Sequence, residues 1–375
     1  MTGYKELVAL VGIALVTHAC AAGRFGPPAT TPAPAGTRTL KNLSVPEREA
    51  TLQRARVWQP IDTRSLNLAT GPPLPSAQRI RQQISCGFVF PEKPLSGSTP
   101  KFLCEVQPDD VVKVKYGEGN GEVNAEIAAS RLLWALGFKS DRMYPARVSC
   151  EGCPSDPFAA SRRDWRSGKP SAVGRYVFDP AAVERPLPGS AIEVPGFEGW
   201  AWPELDKVSP RAGGAPRAHV DALKLLAVFL QHSDSKPEQQ DLMCAPGGVT
   251  RDRAGNETCA LPWLVVKDLG TTFGKATALN NSKMDLDDWS GARIWREGTA
   301  CVGDLPRSLT GSLEDPQIGE AGRRFLANRL LLLRDQQIRD LFGAAMAERR
   351  DGTVDDWVRV FKRKRDEIVQ ARCAV

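Results

Sequence analysis

Three short segments in the first third of the chain alternate between apolar and polar residues, as strands do. They are residues 86–90, 101–106 and 111–116. A stretch rich in Pro, Ser and Gly separates the first two segments, which predicts an antiparallel hairpin. Lys113 and Lys115 lie two positions apart in the third segment, so both side chains are expected on one face of that strand. A further strand is predicted at residues 175–178.

Apolar residues at helical spacing predict several helices. They cover residues 122–136, 217–230, 320–342 and 354–369. Asn120 is a suitable N-cap for the first of these helices and Gly137 is a suitable stop. Residues 241–244 and 259–266 predict a two-stranded ribbon. Together these elements indicate a mixed α+β fold.

The segments between these elements carry weaker signals. Residues 40–76 are polar with scattered Leu and Pro, which predicts a lead-in wrapped on the surface. Residues 139–216 hold extra strands and a long insertion rich in Pro, Gly and Trp. Trp200 and Trp202 are expected to pack beneath that insertion, as large aromatic residues usually do. The basic run 362–365 is expected to be a solvated helix face.

The N-terminus has the pattern of an export signal. One Lys precedes the apolar run Leu7–Val16, which is too short to span a bilayer comfortably and is followed by small residues. Residues 17–20 resemble a lipoprotein cleavage box, which would leave Cys20 as the lipidated first residue. An ordinary cut shortly after it, or an uncleaved anchor, remains open. We expect an exported, periplasmic or cell-envelope protein held at the membrane, with residues 23–40 as a Pro/Ala-rich tether.

Eight cysteines remain when Cys20 is set aside, and an even number in an exported chain indicates disulfides. Sequence alone does not determine the pairing, but short loops favour one set. The favoured pairs are Cys86 with Cys104, Cys150 with Cys153, Cys244 with Cys259, and Cys301 with Cys373. Zinc is the alternative at Cys150 and Cys153. Because no second CxxC or HxxxH completes a tetrahedron, disulfides are favoured.

The composition is that of a globular protein and argues against one class of function. The chain has 375 residues, of which 42% are hydrophobic and 25% charged, enough for one large or two modest cores. The net charge is +6, and acidic residues are interleaved with basic ones. Since no basic stripe of the kind that binds nucleic acid stands out, no nucleic-acid partner is expected.

The glycine-rich stretch 117–121 lies between a predicted strand and a predicted helix, as a dinucleotide-binding loop does. A GxGxxG motif that starts at Gly117 needs glycine where the chain has Glu122. A carboxylate at that position would repel a pyrophosphate. The dinucleotide interpretation is therefore disfavoured.

Two polar motifs later in the chain carry the strongest chemical signal. Residues 232–239 have the sequence HSDSKPEQ, and a DLG turn at residues 268–270 begins 34 residues after Asp234. The pair resembles the catalytic loop and DFG turn of protein kinases, and the first motif matches HRDLKPEN at five of eight positions. The resemblance covers roughly residues 85–275.

The resemblance implies a role for each polar residue of these motifs. Asp234 would accept the proton of a substrate hydroxyl, and Lys236 would neutralise charge on the transferred phosphoryl group. Gln239 and Asp268 would hold Mg²⁺. The family has Asn at the position of Gln239, whose carbonyl reaches one methylene farther, and Gln240–Asp241 are alternative ligands.

The resemblance also implies a phosphate-binding Lys paired with a Glu on the next helix. Lys115 is the first choice, by its likeness to the last residue of VAIK, and Lys113 is the second. Glu126 is preferred to Glu122, because Glu126 lies on the packed face of the helix and Glu122 in the exposed first turn. The turn residues that would offer backbone amides to phosphates are Gly97, Ser98 and Thr99. A plain hairpin turn is the alternative there.

Among kinases the chain is closer to the atypical and secreted kinase-like families, since no APE motif follows residue 270. The resemblance implies a two-lobed protein-kinase-like fold, with a small antiparallel β-rich N-lobe and an α-rich C-lobe. The corresponding divisions are residues 1–22 (signal), 23–40 (tether), 41–180 (lead-in and N-lobe) and 181–375 (C-lobe with insertion and catalytic loop).

The implied function is that of an exported atypical kinase. It would transfer a phosphoryl group from ATP, with Mg²⁺, to a hydroxyl of a protein or a small molecule. Because the bacterial periplasm holds little ATP, an unusual donor or transfer of another group such as AMP remains open. The alternative is a catalytically inactive relative that acts as a binding or scaffolding lipoprotein.

Overall fold

The computed structural model describes residues 37–373 apart from 41–42, 165, 169–171, 254, 278–281 and 300. The predicted signal segment, Cys20 and the tether up to residue 36 lie outside the described residues. Residues 37–40, at the end of the predicted tether, form a strand. Within the described part of the chain, no helix is both long and apolar enough to cross a membrane.

The described residues form eleven strands and eight helices. The strands are β1 (Thr37–Leu40), β2 (Gln83–Val89), β3 (Lys101–Gln107), β4 (Asp110–Tyr116), β5 (Arg142–Pro154), β6 (Val173–Arg185), β7 (Gly189–Ile192), β8 (Gln240–Cys244), β9 (Val249–Arg251), β10 (Glu257–Cys259) and β11 (Pro262–Val266). The helices are α1 (Val45–Gln53), α2 (Gly121–Leu136), α3 (Pro157–Ala159), α4 (Arg217–Leu230), α5 (Leu286–Gly291), α6 (Glu320–Leu331), α7 (Asp335–Ala344) and α8 (Val354–Gln370).

Five strands close into a barrel in the order β2-β3-β4-β6-β5. Neighbouring strands are antiparallel except β2 and β5, which run parallel with Gln83 opposite Arg147. Strands β5 and β6 each have 13 residues and pair over most of their length, from Arg142 opposite Arg185 to Pro154 opposite Val173. The barrel has its own small apolar core, which includes Phe102, Val114 and Val148.

This architecture makes the predicted two-lobed kinase-like fold wrong. The parallel contact between β2 and β5 closes the sheet, so the strands do not form the open antiparallel N-lobe that was predicted. The prediction assigns α2 to that N-lobe, yet Ile127 and Leu136 lie in one continuous apolar core with residues of α4, α6, α7 and α8. Because one core joins the middle of the chain to its end, the protein does not divide into a β-rich and an α-rich lobe.

A second sheet has four strands in the order β1-β7-β8-β11. Strands β8 and β11 are antiparallel, from Pro262 opposite Cys244 to Val266 opposite Gln240. This pair is the predicted ribbon, and the short hairpin of β9 and β10 lies between its two strands in the chain. The other end of the ribbon brings the end of the catalytic-loop motif beside the DLG turn.

Helices α2 and α4 form where the local sequence predicts them. The side chain of Asn120 accepts a hydrogen bond from the Glu122 amide at 3.2 Å, and Gly137 ends the helix with a φ of +93°. Helix α4 has the predicted bounds. The predicted helix 320–342 is instead two helices, α6 and α7, because Arg334 adopts an extended backbone conformation between them.

The predicted surface lead-in belongs to the core. It forms α1 and the segment that follows, and Leu52, Val57 and Leu68 are fully buried. Its apolar residues are too scattered to show a periodic pattern, so their burial was not predictable. The two Trp residues of the insertion are fully buried, as expected: Trp200 and Trp202.

All four favoured cysteine pairs are disulfide-bonded. The bond between Cys301 and Cys373 connects positions 72 residues apart and ties the end of the described chain to the segment before α6. Cys150 and Cys153 are bonded to each other, so neither offers the thiolate that zinc needs.

Candidate functional site

The catalytic-loop motif follows helix α4 directly. The helix ends at Gln231, whose φ of +56° lies in the left-handed region and turns the chain out of the helix. The next residue, His232, is 1% exposed, and burial lowers its pKa to about 4. Its ring lies 6.0 Å from that of Trp202, centroid to centroid. His232 is therefore a neutral packing residue that anchors the loop.

Two serines from a distant part of the chain hold the loop in place. The Ser308 hydroxyl donates to the Ser233 carbonyl at 2.6 Å, and the Ser312 hydroxyl donates to the Ser235 carbonyl at 2.6 Å. The Ser312 amide also donates to the Ser235 hydroxyl at 3.1 Å. Because Asp234 lies between Ser233 and Ser235, these bonds fix its backbone from both sides.

The ribbon places the DLG turn next to the end of the loop. Gln240 is opposite Val266, and the Lys267 amide donates to the Gln239 carbonyl at 3.0 Å. Asp268 then adopts a φ of +47°, a left-handed conformation that Asp tolerates better than most residues. The backbone therefore brings Gln239 and Asp268 together although they lie far apart in sequence.

The side-chain amide of Gln239 bridges the two key carboxylates. Its Nε2 donates to Asp234 Oδ2 at 2.9 Å and to Asp268 Oδ2 at 3.1 Å. Its Oε1 accepts a hydrogen bond from the Lys236 amide at 3.1 Å, which fixes which end of the amide is oxygen. Gln239 thus presents its donor, and not its carbonyl, to the space between Asp234 and Asp268.

Lys115 of strand β4 reaches one of these two carboxylates, Asp268, and also Glu126. Its Nζ contacts Glu126 Oε1 of helix α2 and lies 3.0 Å from Asp268 Oδ1. The side chains of Lys115 and Glu126 are 2% and 3% exposed, whereas that of Asp268 is 35% exposed. Asp268 is therefore the member of this triad that faces solvent.

The charges of the triad are unequal, since one ammonium faces two carboxylates. Burial opposes the charge on Lys115, but Glu126 and Asp268 outweigh it and hold the pKa of Lys115 well above its usual value. Burial also opposes the charge on Asp268, yet Lys115 keeps the pKa of Asp268 well below its usual value. Burial raises the pKa of Glu126, with Lys115 acting against that rise. As the pH falls, a proton therefore binds first at Glu126.

The donor set suits a small divalent cation. Asp234 Oδ1 and Glu126 Oε2 are buried and have no hydrogen-bond partner among the described residues. The triad has one carboxylate more than its single ammonium can neutralise. Carboxylate oxygens are the ligands that Mg²⁺ prefers. The residues present therefore fit a magnesium ion at Asp268, beside Asp234.

The fallback candidates have other surroundings. Gln240, the first residue of strand β8, is fully buried and its side-chain amide has no hydrogen-bond partner among the described residues, whereas Asp241 forms an ion pair with Lys267 at 3.0 Å. Lys113 pairs with Glu184 of strand β6 at 2.6 Å. Lys115 is the lysine of strand β4 that the structure brings to Glu126 and Asp268.

The turn before β3 is joined to the site through a different carboxylate. Gly97 and Ser98 are exposed at the turn, whereas Thr99 is 7% exposed and its hydroxyl donates to Glu122. The carboxylate of Glu122 also binds Lys283, which follows the DLG turn. The expectation that Glu122 is an exposed first-turn residue is therefore wrong, because Glu122 is 7% exposed and links three segments.

Four residues near the site were not predicted from the sequence. Ser308 and Ser312 hold the catalytic loop, Lys283 binds Glu122, and Lys101 lies opposite Lys115 in the β3–β4 ladder. The serines and Lys283 carry no motif, since their contacts are made only in the folded chain. Lys101 had a weak signal, because it is a charged residue directly before the apolar residues 102–104 of its strand.

Comparisons with known proteins do not assign a family. No protein-family model matches the sequence, and no curated protein matches it. Among solved structures, the crystal structure of a Helicobacter pylori proinflammatory kinase, CtkA, is similar at 12% sequence identity and a TM-score of 0.39. The match covers 77% of this chain and 95% of that chain. This is a weak structural similarity to a kinase.

Proposed function

We propose that this protein binds a nucleoside triphosphate with Mg²⁺ and transfers a phosphoryl group to a hydroxyl. The observation that carries the proposal is the grouping of Lys115, Asp234 and Asp268: Lys115 forms an ion pair with Asp268, and the Gln239 amide binds both carboxylates. Phosphoryl transfer needs a cation for the phosphates, a carboxylate near the nucleophile and a carboxylate that binds metal. These three residues supply one group of each kind.

In the proposed step, the acceptor oxygen forms a bond to the γ-phosphorus. The bond from that phosphorus to the β–γ bridging oxygen breaks, and the nucleoside diphosphate leaves with its electron pair. Asp234 orients the acceptor hydroxyl and takes its proton. Lys236 is 43% exposed and its Nζ lies 3.8 Å from Asp234 Oδ1, so it is loosely held and can turn to the transferred group.

Asp268 and Gln239 are the residues that would hold Mg²⁺. Bound Mg²⁺ would neutralise charge on the phosphates. Glu126 orients Lys115, which would position the phosphates that are not transferred. The turn residues Gly97, Ser98 and Thr99 would cover the phosphates from the other side.

We also propose that the protein is exported and anchored at the cell envelope through its N-terminal segment. The pattern of Leu7–Val16 and Cys20 supports this proposal, and four disulfides are compatible with an oxidising compartment. Mass spectrometry of the mature N-terminus after expression in a bacterial host tests it. A diacylglyceryl-modified Cys20 is expected, whereas an intact Met1 in the cytoplasmic fraction would refute export.

A second candidate is a binding or scaffolding protein without turnover, and one observation favours it. The Gln239 amide already donates one hydrogen bond to Asp234 and one to Asp268. Such an arrangement is stable without metal. Binding of nucleotide without any release of phosphate would support this candidate.

Thermal unfolding with and without ATP and Mg²⁺ tests the proposed function. The ligand should raise the melting temperature, because it binds only the folded state. Asp268→Ala should abolish the shift, and Asp234→Ala should keep the shift and lose phosphoryl transfer. Asp355→Ala, on the exposed face of α8 where Asp355 is 66% exposed, is the matched control and should behave as wild type. Absence of a shift in the wild type at millimolar ATP would refute nucleotide binding.

A further inference from the structure

Lys101, the first residue of strand β3, is a buried cation that no carboxylate of the described residues contacts. It is 9% exposed, and no hydrogen bond or ion pair to it is found within the described part of the chain. A buried ammonium is costly unless it is paired. Burial and the ammonium of Lys115 lower the pKa of Lys101, and the carboxylates of Asp268 and Glu126, which do not contact it, oppose that fall only in part. The fold therefore holds the Lys101 ammonium in place without a hydrogen bond or an ion pair from the described residues.

The strand register places the Lys101 side chain on the same side of the sheet as the candidate site. Lys101 is directly opposite Lys115 in the antiparallel ladder of β3 and β4. Side chains of opposite residues lie on the same face of a sheet, with Cβ atoms about 5 Å apart. Lys115 on that face contacts Glu126 and Asp268. Lys101 therefore lies on the face of the sheet that carries the triad.

The turn before β3 lies close to the ammonium of Lys101. Gly97 has a φ of +80°, and a Cβ built on it would lie 3.2 Å from Lys101 Nζ. A side chain at position 97 would thus crowd the ammonium. The cation is enclosed by the turn on one side and by the triad's lysine on the other.

We propose that Lys101 is a second phosphate-binding cation, which contacts the outer phosphates of the ligand beside Lys115 and makes the site select triphosphates over monophosphates. The inference rests on the proposed function, because it names the part of the nucleotide that this residue recognises. Two ammonium groups on one face match a chain of phosphates better than a single phosphate. The polyphosphate supplies the anion that Lys101 lacks in the protein.

Binding measurements on matched variants test the assignment. Dissociation constants for ATP, ADP, AMP and inorganic tripolyphosphate, each with Mg²⁺, are measured by calorimetry for the wild type and for Lys101→Met, Lys101→Arg and Lys93→Met. Lys93 is an exposed lysine on the same hairpin, so its variant has the same change in charge outside the site. Lys101→Met should fold at least as stably as wild type, because it removes an unpaired buried charge.

In Lys101→Met, binding of ATP and tripolyphosphate should weaken by roughly ten- to a hundredfold, the usual effect of losing a hydrogen bond to a charged group. Binding of AMP should change by less than about twofold, since a monophosphate reaches Lys115 alone. Lys101→Arg should keep the preference for triphosphate, which also tests the idea if Lys101→Met does not fold. Lys93→Met should match wild type.

Two results would overturn the assignment and leave the proposed function intact. One is a Lys101→Met protein that binds ATP as tightly as wild type. The other is equal loss of affinity for ATP and AMP, which would indicate a distorted site and not a lost phosphate contact. A wild-type protein that binds none of these ligands would refute the proposed function and this inference together.

Discussion

Replacing Lys115 by Met removes the only ammonium in contact with Glu126 among the described residues. Glu126 is 2% exposed, so solvent cannot replace the lost cation. Asp268 is 35% exposed and can keep its charge through contact with water. The folded state of the variant is therefore most stable with a proton bound to Glu126.

The free energy needed to protonate Glu126 sets the loss of stability expected for Lys115→Met. An ordinary Glu has a pKa of 4.5, so holding Glu126 neutral at pH 7 costs at most about 3 kcal/mol, at 1.4 kcal/mol per pH unit. Burial already raises the pKa of Glu126 in the wild type, which reduces the difference between the two proteins. We expect Lys115→Met to lower the free energy of unfolding by about 1–3 kcal/mol at pH 7.

The pH dependence has a definite sign. In the variant, the folded state has a raised Glu126 pKa and binds a proton that the unfolded state releases above pH 4.5. The free energy of unfolding of the variant should therefore fall as the pH rises from about 5 to 7. Its difference from the wild-type value should be smaller at pH 5 than at pH 7. Urea denaturation at pH 5, 6 and 7 measures this gap.

Two control variants separate this mechanism from general damage. Lys115→Met with Glu126→Gln should regain most of the lost stability, because no carboxylate is left without a partner. Lys113→Met should cost less than Lys115→Met, because Lys113 is 31% exposed and its partner Glu184, which is 13% exposed, is still stabilised by the charges of Lys115 and Lys267. A cost for Lys115→Met below about 0.5 kcal/mol at pH 7, or one that is the same at pH 5 and pH 7, would refute the reasoning.

Three further predictions concern other parts of the protein. Burial lowers the pKa of Lys364 to about 8 from 10.5, so the folded state loses its proton first and stability should rise between pH 8 and 10.5. This rise, up to roughly 3 kcal/mol in urea denaturation, should vanish in Lys364→Met, and a rise that persists would contradict the assignment. Replacing Cys301 and Cys373 by Ala opens a 72-residue loop and should lower the free energy of unfolding by roughly 4 kcal/mol, so an unchanged urea midpoint would exclude the bond. Glu122→Gln weakens the contact with Lys283, so trypsin should cut after Lys283 roughly tenfold faster in the variant. Mass spectrometry follows this cleavage, and an unchanged rate would show that the contact does not hold the segment.

Several features followed from the sequence alone because their causes are local. Helix α2 begins at the N-cap Asn120 and ends at Gly137, and both signals act within one turn of the helix. The short loops between cysteines favoured the pairs that the structure contains. The two carboxylates, Asp234 and Asp268, were identified by motif, and the ribbon between them by its apolar pattern.

The arrangement of these elements depended on contacts that no local pattern encodes. The parallel pairing of β2 with β5 closes the barrel, and it joins segments that are separated by two other strands. A strand has the same alternation whichever neighbour it pairs with, so periodicity could not reveal the barrel or exclude the two-lobed fold. The same reason explains the error on the lead-in segment, whose burial depends on what packs over it.

The sequence by itself determined which residues could do chemistry, because Asp, Lys and Glu carry the same functional groups in any fold. Only the tertiary structure decided their partners. It turned the Gln239 amide donor to Asp234 and Asp268, and it left Lys101 buried opposite Lys115 without an anion in contact with it. Burial and charge pairing depend on every neighbour within a few ångströms, and most of those neighbours come from distant positions in the chain.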